Sequence, residues 1–296
     1  MLSVGVACAL LAPLCWSIAV LFYRRSADLA SPVVMTVIKN AVAAVLLVVS
    51  AALIGSEVPW DRSWADWLRL AASGVLGLAV ADTLLFEALR RVGAARIAIT
   101  DTVYAPSLLA LSWWFLDEHL SLLFFVGAGL VLAGVALANL KGETSSIEPR
   151  DLMVGTALGL ASVGGTVVGV ILSKPVLEES DLVEVTLTRM LAGLALQVPW
   201  ALWRGFGPEL RASVSRRDLW WTLFPAAFVG TWLSLLLWMA GFKWAPASVA
   251  AVLNQMATVY ILVLARFVLH EQVGWRQALG GLTAAAGALV VVLGSG

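Results

Sequence analysis

Three ionisable residues lie inside long apolar segments in the first half of this 296-residue chain, namely Lys39, Asp82 and Asp101. A charge at the centre of a bilayer costs about 2.5 to 3.5 kcal/mol on insertion scales, so a retained charge usually faces a cavity or a partner. With a rise of about 1.5 Å per residue, Lys39 and Asp101 lie about 6 Å, and Asp82 about 7 Å, from the middle of their segments. All three displacements point to one membrane face. The spacing therefore predicts a polar cluster at one level of a cavity.

The charges of this cluster do not balance. If Lys39 pairs with one aspartate, the other carboxyl has no cation beside it and can take up a proton. Such a group can couple proton movement to solute movement, and we expect Asp82 or Asp101 to do so. The alternative is a structural ion pair, with the second aspartate neutral or hydrated and without a functional role.

Aromatic side chains accompany the charges. Tyr104 follows Asp101 by about one helical turn, and Trp16 lies deeper than the tryptophans at the segment ends, close to Pro13. Tyr104 is predicted to form, together with Thr36, Asn40 and Phe86, a mixed polar and aromatic wall that suits a small amphipathic solute, and Trp16 is predicted to line the same cavity. Helix packing is the alternative explanation for them.

The second half of the chain carries a different set of polar residues. Arg189 lies in an apolar segment, while Asn254 and Gln255 stand at and beside the position that corresponds to Asp101. Arg189 has no acid at its own depth in its half, which makes it a candidate for binding a carboxylate or phosphate. Two alternatives remain open: Arg189 pairs with Glu184, or it extends to the membrane interface.

Several kinds of chemistry are excluded by the composition. Lysine plus arginine equals aspartate plus glutamate at 19 each, so the chain has no net charge and no basic surface for nucleic acid. No P-loop is present to bind ATP. His119 and His270 are far apart, and Cys8 and Cys15 have no histidine near them, so we predict no metal site and no cofactor.

The elements that must position these residues are transmembrane helices. Hydrophobic residues make up 61% of the chain, charged residues only 13%, and the mean hydropathy is +0.93, which excludes a water-soluble globule. About 20 apolar residues cross about 30 Å of hydrocarbon, and their backbone groups must pair within a helix. Ten segments qualify, over residues 2–22, 32–54, 67–88, 94–116, 122–140, 152–173, 183–203, 219–241, 245–267 and 275–293.

The chain contains two related halves. Residues 88–120 align without gaps on residues 241–273, and Lys39 falls on Arg189. With five predicted helices in each half, the second half must enter the membrane from the opposite face, which is an inverted repeat. We therefore predict an all-α integral membrane protein with ten transmembrane helices in two inverted five-helix repeats. The repeats are predicted to cover residues 1–140 and 152–296, with a linker over residues 141–151.

Positive charges are concentrated on one predicted face. Most arginines and lysines lie in the loops after the odd-numbered helices, so the positive-inside rule puts these loops in the cytoplasm and both chain ends outside it. We expect the protein to span the plasma membrane, which in a bacterium is the inner membrane, with lipid around its outer surface.

A series of short motifs marks the first half. It contains an A-L-x-x-x-G-A turn, then Pro106 in the fourth helix, then Glu118 in the run LDEHL, then the glycine-rich fifth helix GAGLVLAGVAL. This pattern resembles the EamA-type branch of the drug/metabolite transporter superfamily over almost the whole chain. The resemblance implies a multi-helix exporter or importer of a small metabolite. The sequence departs from it at Val259, which stands where the first half has Pro106.

Together these features predict a function. We expect a secondary carrier, not an enzyme, that moves an amino acid, a similar amphipathic solute or an anionic compound by alternating access. Its partners would be the small-molecule substrate, membrane lipid and protons. The alternatives are an intramembrane enzyme that uses Asp82 and Asp101 as a general acid/base pair, and a membrane assembly protein without transport activity.

Overall fold

The computed structural model describes residues 2–26, 29–92, 97, 100–101, 103–118, 120–139, 148–268 and 274–294, and this part of the chain forms helices and no strand. We number the helices in chain order. They are α1 (Leu2–Ser26), α2 (Pro32–Ile54), α3 (Trp64–Gly74), α4 (Ala81–Val92), α5 (Tyr104–Phe115), α6 (Leu122–Asn139), α7 (Pro149–Glu179), α8 (Leu182–Trp203), α9 (Gly207–Val214), α10 (Arg217–Ala226), α11 (Ser234–Trp244), α12 (Ala247–Asn254), α13 (Ala257–Phe267) and α14 (Trp275–Gly294).

In the described part of the chain, eight helices are long and apolar enough to cross a membrane. Five of them are α1, α2, α7, α8 and α14. Each of the other three spans combines two helices, namely α3 with α4, α10 with α11, and α12 with α13. Helix α6 is apolar but shorter. The prediction of an all-helical, multi-pass membrane protein is confirmed, and the number of ten crossings stays a prediction.

Two predicted spans contain a wide helical turn at mid-length. The π-helical segment Val75–Val80 joins α3 to α4, and the segment Ala227–Leu233 joins α10 to α11. These segments stand at corresponding positions of the two halves. The sequence analysis treated both spans as regular helices and missed these segments. Turns of this kind are rare and are often found at functional sites.

Two further spans, predicted as single helices over residues 94–116 and 245–267, are interrupted. In the first, α5 begins after a turn at Val103, and residues 93–96, 98–99 and 102 lie outside the described residues. In the second, Gln255 and Met256 separate α12 from α13. In both spans the amides at the break donate to the carbonyl three positions back, whereas in a regular helix they donate four positions back. The bonds run from Val103 to Thr100, from Gln255 to Val252 and from Met256 to Leu253. The second break needs no proline, since Val259 stands at the position of Pro106.

Contacts between helix ends define two faces. On the face that we call the arginine face, α4 ends and α7 begins, and Arg91 Nη1 lies 2.8 Å from Asp151 Oδ1. On the opposite face, the Ser121 hydroxyl donates to the Gly294 carbonyl at 2.6 Å, and Gly5 packs against the end of α11. Both ends of the described chain therefore lie on the opposite face.

Helices α6 and α14 meet backbone to backbone through glycines. A Cβ on Gly127 would lie 2.6 Å from Val291 N, and one on Gly287 would lie 2.7 Å from the Gly127 carbonyl oxygen. A Cβ on Gly134 would lie 2.5 Å from the Gly280 carbonyl oxygen. Small residues permit such close approach in membranes, where van der Waals contact drives helix association.

The predicted linker, residues 141–151, is helical at its end. Helix α7 begins at Pro149, in its first turn, where a proline is tolerated because the first amides of a helix have no partner within it. Residues 140–147 lie outside the described residues.

Candidate functional site

A cavity of about 320 Å³ lies among the helices at mid-height. Its wall is formed by both π-helical segments, by both helix breaks and by parts of α1, α2, α4, α7, α8 and α11. Seven of the eight residues predicted to form a site line this cavity: Trp16, Lys39, Asp82, Asp101, Tyr104, Asn254 and Gln255. The eighth, Arg189, is not in the wall.

The cavity extends from mid-height toward the arginine face. On α7 it is lined by residues between Gly159 and Thr166, in the half of the helix that begins at that face. On α2 it is lined by Lys39 and Asn40, again in the half that begins at that face. This direction matches the displacement of the three ionisable residues that the sequence predicted.

Lys39 lies at the centre of a buried polar network. Its Nζ donates to Asp82 Oδ2 at 3.3 Å and to Asn40 Oδ1 at 3.0 Å, and Asn40 Nδ2 donates to Gln197 Oε1 at 2.9 Å. Lys39, Asn40 and Gln197 are buried, while the Asp82 side chain is 26% exposed. A buried charge needs such partners, because an unpaired one retains most of its desolvation cost. The aspartate that pairs with Lys39 is therefore Asp82.

Asp101 is the aspartate left without a cation. Its side chain is exposed within the cavity and makes no ion pair with any residue that the structure describes. Gln255 Nε2 donates to the main-chain carbonyl of Asp101 at 3.3 Å, which joins the two helix breaks. Beside them, Asn254 Nδ2 is buried without a hydrogen-bond partner in the described chain. The breaks thus bring a free carboxylate and a free amide to the same wall.

Three aromatic rings also line the cavity, beside aliphatic and small residues. Trp16 is 39% exposed, and its ring centroid lies 6.0 Å from that of Tyr23. Tyr104 and Trp238 line the cavity on the side away from the arginine face. A wall of this composition can hold an apolar body while the charged residues orient its polar groups.

Arg189 lies behind this wall and is 1% exposed. Its suggested partner Glu184 instead binds Arg62, with Nη2 to Oε2 at 2.6 Å and Nη1 to Oε1 at 2.8 Å. The Arg189 to Glu184 ion pair is therefore wrong, because the loop between α2 and α3 places Arg62 over the start of α8. Arg189 does not extend to the interface either. Its guanidinium lies 5.8 Å from the Trp238 ring centroid and contacts Met239 Sδ.

Two lysines join the ends of α7 and α11 on the opposite face. Lys174 of α7 donates to the carbonyl of Phe242 at 2.9 Å, near the end of α11. Lys243 of α11 donates to the carbonyls of Leu177 and Ser180, both at 2.5 Å, at the end of α7. Each cation thus binds the carbonyl end of the other helix, where the helix dipole favours positive charge. We call Lys174 and Lys243 the lysine clamp.

Two carboxylates cap helices on the same face. Glu118 accepts hydrogen bonds from the N–H of Ala247 at 2.5 Å and from the Ser248 hydroxyl at 2.5 Å, at the start of α12. Asp181 accepts from the Ser56 hydroxyl at 2.6 Å and from two N–H groups at the start of α8. Burial raises the pKa of Asp181, but these hydrogen bonds outweigh it, so the pKa lies below its ordinary value. The capping carboxylate therefore stays ionised at neutral pH.

The sequence analysis missed part of this arrangement. Gly77 and Gly230, in the two π-helical segments, line the cavity, as do Ser162 and Thr166 of α7. The contacts that join α7 to α11 could not be predicted from the clamp lysines, because the partners across the two helices are backbone carbonyls that every residue possesses. The described residues contain no group of three or more His, Cys, Asp or Glu side chains that could hold a metal ion.

Comparison with known proteins gives three findings. The sequence model of the EamA-like transporter family matches residues 3–140 and 153–293. An uncharacterized transporter of Synechocystis sp. is 24% identical over 232 residues, which cover 76% of this chain and 65% of that protein. The chain therefore spans about two thirds of that relative's length. A solved crystal structure at 18% identity superposes with a TM-score of 0.84 over 100% of this chain and 98% of the other, which shows a shared fold.

Proposed function

Because the chain belongs to the EamA-like transporter family, we propose that it is a secondary carrier that moves a small amphipathic or anionic metabolite by alternating access. Such carriers bind substrate near the bilayer midplane, between halves that open to one face at a time. One observation carries the proposal. The polar cavity lies at mid-height and extends toward the arginine face, while on the opposite face the lysine clamp joins the ends of α7 and α11.

Reciprocal contacts support an arrangement as two inverted five-helix repeats. Gly5 of α1 packs on Ala245 beyond the end of α11, and its counterpart Gly155 of α7 packs on Val92 at the end of α4. Val92 is in turn the counterpart of Ala245 in the sequence alignment. A two-fold axis between the halves exchanges such pairs of contacts. The conformation that opens to the opposite face then follows if the two halves exchange their conformations.

Proton coupling is the proposed role of Asp101. Lys39 holds Asp82 in an ion pair, whereas the Asp101 carboxylate faces the cavity without a cation among the described residues. A carboxylate in this position can exchange protons with water in the cavity, and its charge can change as the cavity closes. We propose that it takes up a proton on one face and releases it on the other.

An intramembrane enzyme is the second hypothesis from the sequence. It required Asp82 and Asp101 to act as an acid/base pair. Asp82 instead binds Lys39, and no hydrogen bond joins the two carboxyl groups. A membrane assembly protein, the third hypothesis, gives no reason for a cavity lined with charged residues. The carrier is therefore the function that the geometry supports best.

The proposed location is the plasma membrane, with the arginine face toward the cytoplasm and both chain ends outside it. The arginine face carries most of the described cations that lie outside the cavity, including Arg91, Arg150, Arg204, Arg211 and Arg216. The positive-inside rule places such a face in the cytoplasm. Labelling of a cysteine added at the C-terminus by an impermeant reagent on intact cells tests this, since a protected terminus contradicts it.

Reconstituted transport tests the function itself. A thermal-shift screen of the purified protein against amino acids, phosphorylated sugars, polyamines and nucleosides identifies a ligand, because binding to the folded form raises its apparent stability. Flux of that ligand into proteoliposomes is then measured with and without a pH gradient. The proposal expects flux above that of empty liposomes. No flux of any solute in the panel would contradict it.

The lysine clamp leads to a prediction about the opposite face. Lys243→Gln removes the ammonium that donates to the Leu177 and Ser180 carbonyls. Hydrogen bonds to charged groups contribute about 1.5 to 3 kcal/mol, and about 1.4 kcal/mol changes an equilibrium tenfold. We therefore expect backbone hydrogen exchange at the ends of α7 and α11 to become about tenfold faster, as measured by mass spectrometry.

Arg69→Gln is the matched control for the clamp. Arg69 is an exposed cation of the same end of the molecule and pairs with Asp66 at 2.8 Å on its own helix. Removing it should leave exchange at both helix ends unchanged, because an exposed ion pair contributes little. Unchanged exchange in Lys243→Gln, or the same acceleration in Arg69→Gln, would show that the clamp does not hold this face closed.

A further inference from the structure

Arg189 is a buried cation without a counter-ion. It is 1% exposed, its Nε has no hydrogen-bond partner, and it makes no ion pair with any residue that the structure describes. Its neighbours are the Trp238 ring and the thioether of Met239, neither of which is an anion. A charge in this situation retains most of its desolvation cost. Two acids of the neighbouring helices, Glu184 and Asp82, bind other cations, namely Arg62 and Lys39.

The guanidinium lies directly behind the cavity wall. A Cβ built on Gly77, a wall residue, would lie 3.6 Å from Arg189 Nη2, so only a glycine separates the cation from the cavity at this point. Trp238, which stacks over the guanidinium, is also a wall residue. Beside them the hydroxyl of Tyr104 is buried and has no partner with hydrogen-bond geometry. Two donors without partners, Arg189 Nε and the Tyr104 hydroxyl, are therefore buried at and directly behind the part of the wall that Trp238 forms.

We infer that Arg189 and Tyr104 form the subsite for a carboxylate group of the substrate. This inference rests on the proposed carrier function and names the substrate class of the same cavity. Arg189 offers a planar pair of N–H donors that matches the two oxygens of a carboxylate, and the phenol supplies one more donor. The carboxylate displaces Met239 Sδ from the guanidinium and supplies the missing counter-charge.

The charge balance favours a carboxylate over a phosphate. One unpaired guanidinium compensates one negative charge, which a carboxylate carries. A phosphate monoester carries about 1.5 to 2 negative charges at neutral pH and would leave uncompensated charge beside Gly77 and Trp238. The rings of Tyr104 and Trp238 at the subsite suit the apolar body of such an acid. The substrate class is therefore a small organic acid with an apolar or aromatic body.

A pair of isosteric probes tests the subsite by thermal shift of the purified protein. We use 3-phenylpropionate and its neutral amide, 3-phenylpropanamide, together with inorganic phosphate. Saturating carboxylate should raise the unfolding midpoint of the wild type by about 3 °C or more, and the amide and phosphate should not. Tyr104→Phe should weaken carboxylate binding severalfold, because one of its hydrogen bonds is lost.

Arg189→Met gives the sharper test, because two results are expected together. It should abolish the response to the carboxylate and also raise the midpoint of the ligand-free protein, since an uncompensated buried charge is replaced by an apolar chain. The matched control is Arg62→Met, which removes a buried arginine that does have a partner. That variant should lower the midpoint and keep the response to the carboxylate.

The outcomes separate this inference from the carrier function. A lower midpoint in ligand-free Arg189→Met, an equal response to acid and amide, a response to phosphate as large as to the acid, or no response of the wild type to the acid overturns the carboxylate subsite. Flux of a panel solute would leave the carrier function standing in each of these cases. Conversely, a response that depends on Arg189 without flux of any solute would support the subsite and overturn the carrier.

Discussion

Asp101→Asn is expected to lower substrate flux into proteoliposomes about tenfold or more and to remove its dependence on a pH gradient. The Asp101 carboxylate is exposed within the cavity, and no described residue neutralises it. A hydrogen bond to a charged group contributes about 1.5 to 3 kcal/mol, which corresponds to about tenfold or more in rate or affinity. Asparagine has the same shape but can neither carry the charge nor take up a proton.

The controls for this prediction separate function from folding. Asp66→Asn, at a partly exposed aspartate that pairs with Arg69, should transport like the wild type. Asp101→Asn itself should unfold at or slightly above the wild-type midpoint, because a carboxylate without a cation is removed. Flux of Asp101→Asn equal to the wild type, with the pH dependence retained, would exclude Asp101 as the coupling residue.

Gly74→Ala is expected to destabilise the protein by about 2 to 3 kcal/mol, the upper range for overpacking. A Cβ on Gly74 would overlap the carbonyl oxygen of Arg189, and backbone atoms of α8 cannot move aside as a flexible side chain can. Gly193 of α8 faces the same contact, since its Cβ would lie 3.1 Å from the Gly74 carbonyl oxygen. The midpoint of thermal unfolding in detergent should fall by about 5 °C or more.

Gly164→Ala is the matched control, because a Cβ on Gly164 of α7 would have nothing within 4 Å. This substitution should be neutral or slightly stabilising, since alanine favours a helix over glycine by about 1 kcal/mol. Equal midpoints for Gly74→Ala and Gly164→Ala would mean that α3 and α8 do not approach as closely as described. Both variants keep the side chains of the cavity, so their difference reports packing alone.

The polar cluster could be predicted because its physical basis is local. A charge inside an apolar segment is visible in the sequence, and helical rise converts its position into depth. This reasoning brought Lys39, Asp82 and Asp101 to one level, and the structure places all three in one cavity wall. The pairing of Lys39 with Asp82 and not with Asp101 could not be predicted, because it depends on how α2 faces α4.

The environment of Arg189 shows why depth alone is insufficient. Glu184 stands five residues before Arg189 on the same helix, whereas side chains on one helix meet at a spacing of three or four residues. In the structure the Glu184 carboxylate instead binds Arg62, which lies in the loop after α2 and donates two hydrogen bonds to it. Loop residues carry no periodicity that would predict where they fold back. The orphaned guanidinium is therefore visible only in three dimensions.

The interruptions of the helices lie equally beyond sequence patterns. Pro106 drew attention to the first interrupted span, yet α5 begins two residues earlier and contains that proline. The second span breaks at Gln255 without any proline. Apolar composition identifies a membrane span. It does not reveal where the hydrogen-bond spacing of the helix becomes one residue longer or shorter. Both breaks and both π-helical segments fall at the cavity, which is where irregular backbone is tolerated in membranes.

The central claim, alternating access to one cavity, is tested most directly by the labelling of a single cysteine from each face. Thr166→Cys places a thiol in the cavity wall, in a protein from which Cys8 and Cys15, the only two cysteines, have been removed. An impermeant maleimide is added to one side of sealed vesicles at a time. In the absence of solute, we expect labelling from the arginine face only. Labelling from the opposite face is expected only when a transported solute is present. Labelling from one face alone under every condition, or from both faces at rest, would contradict this claim.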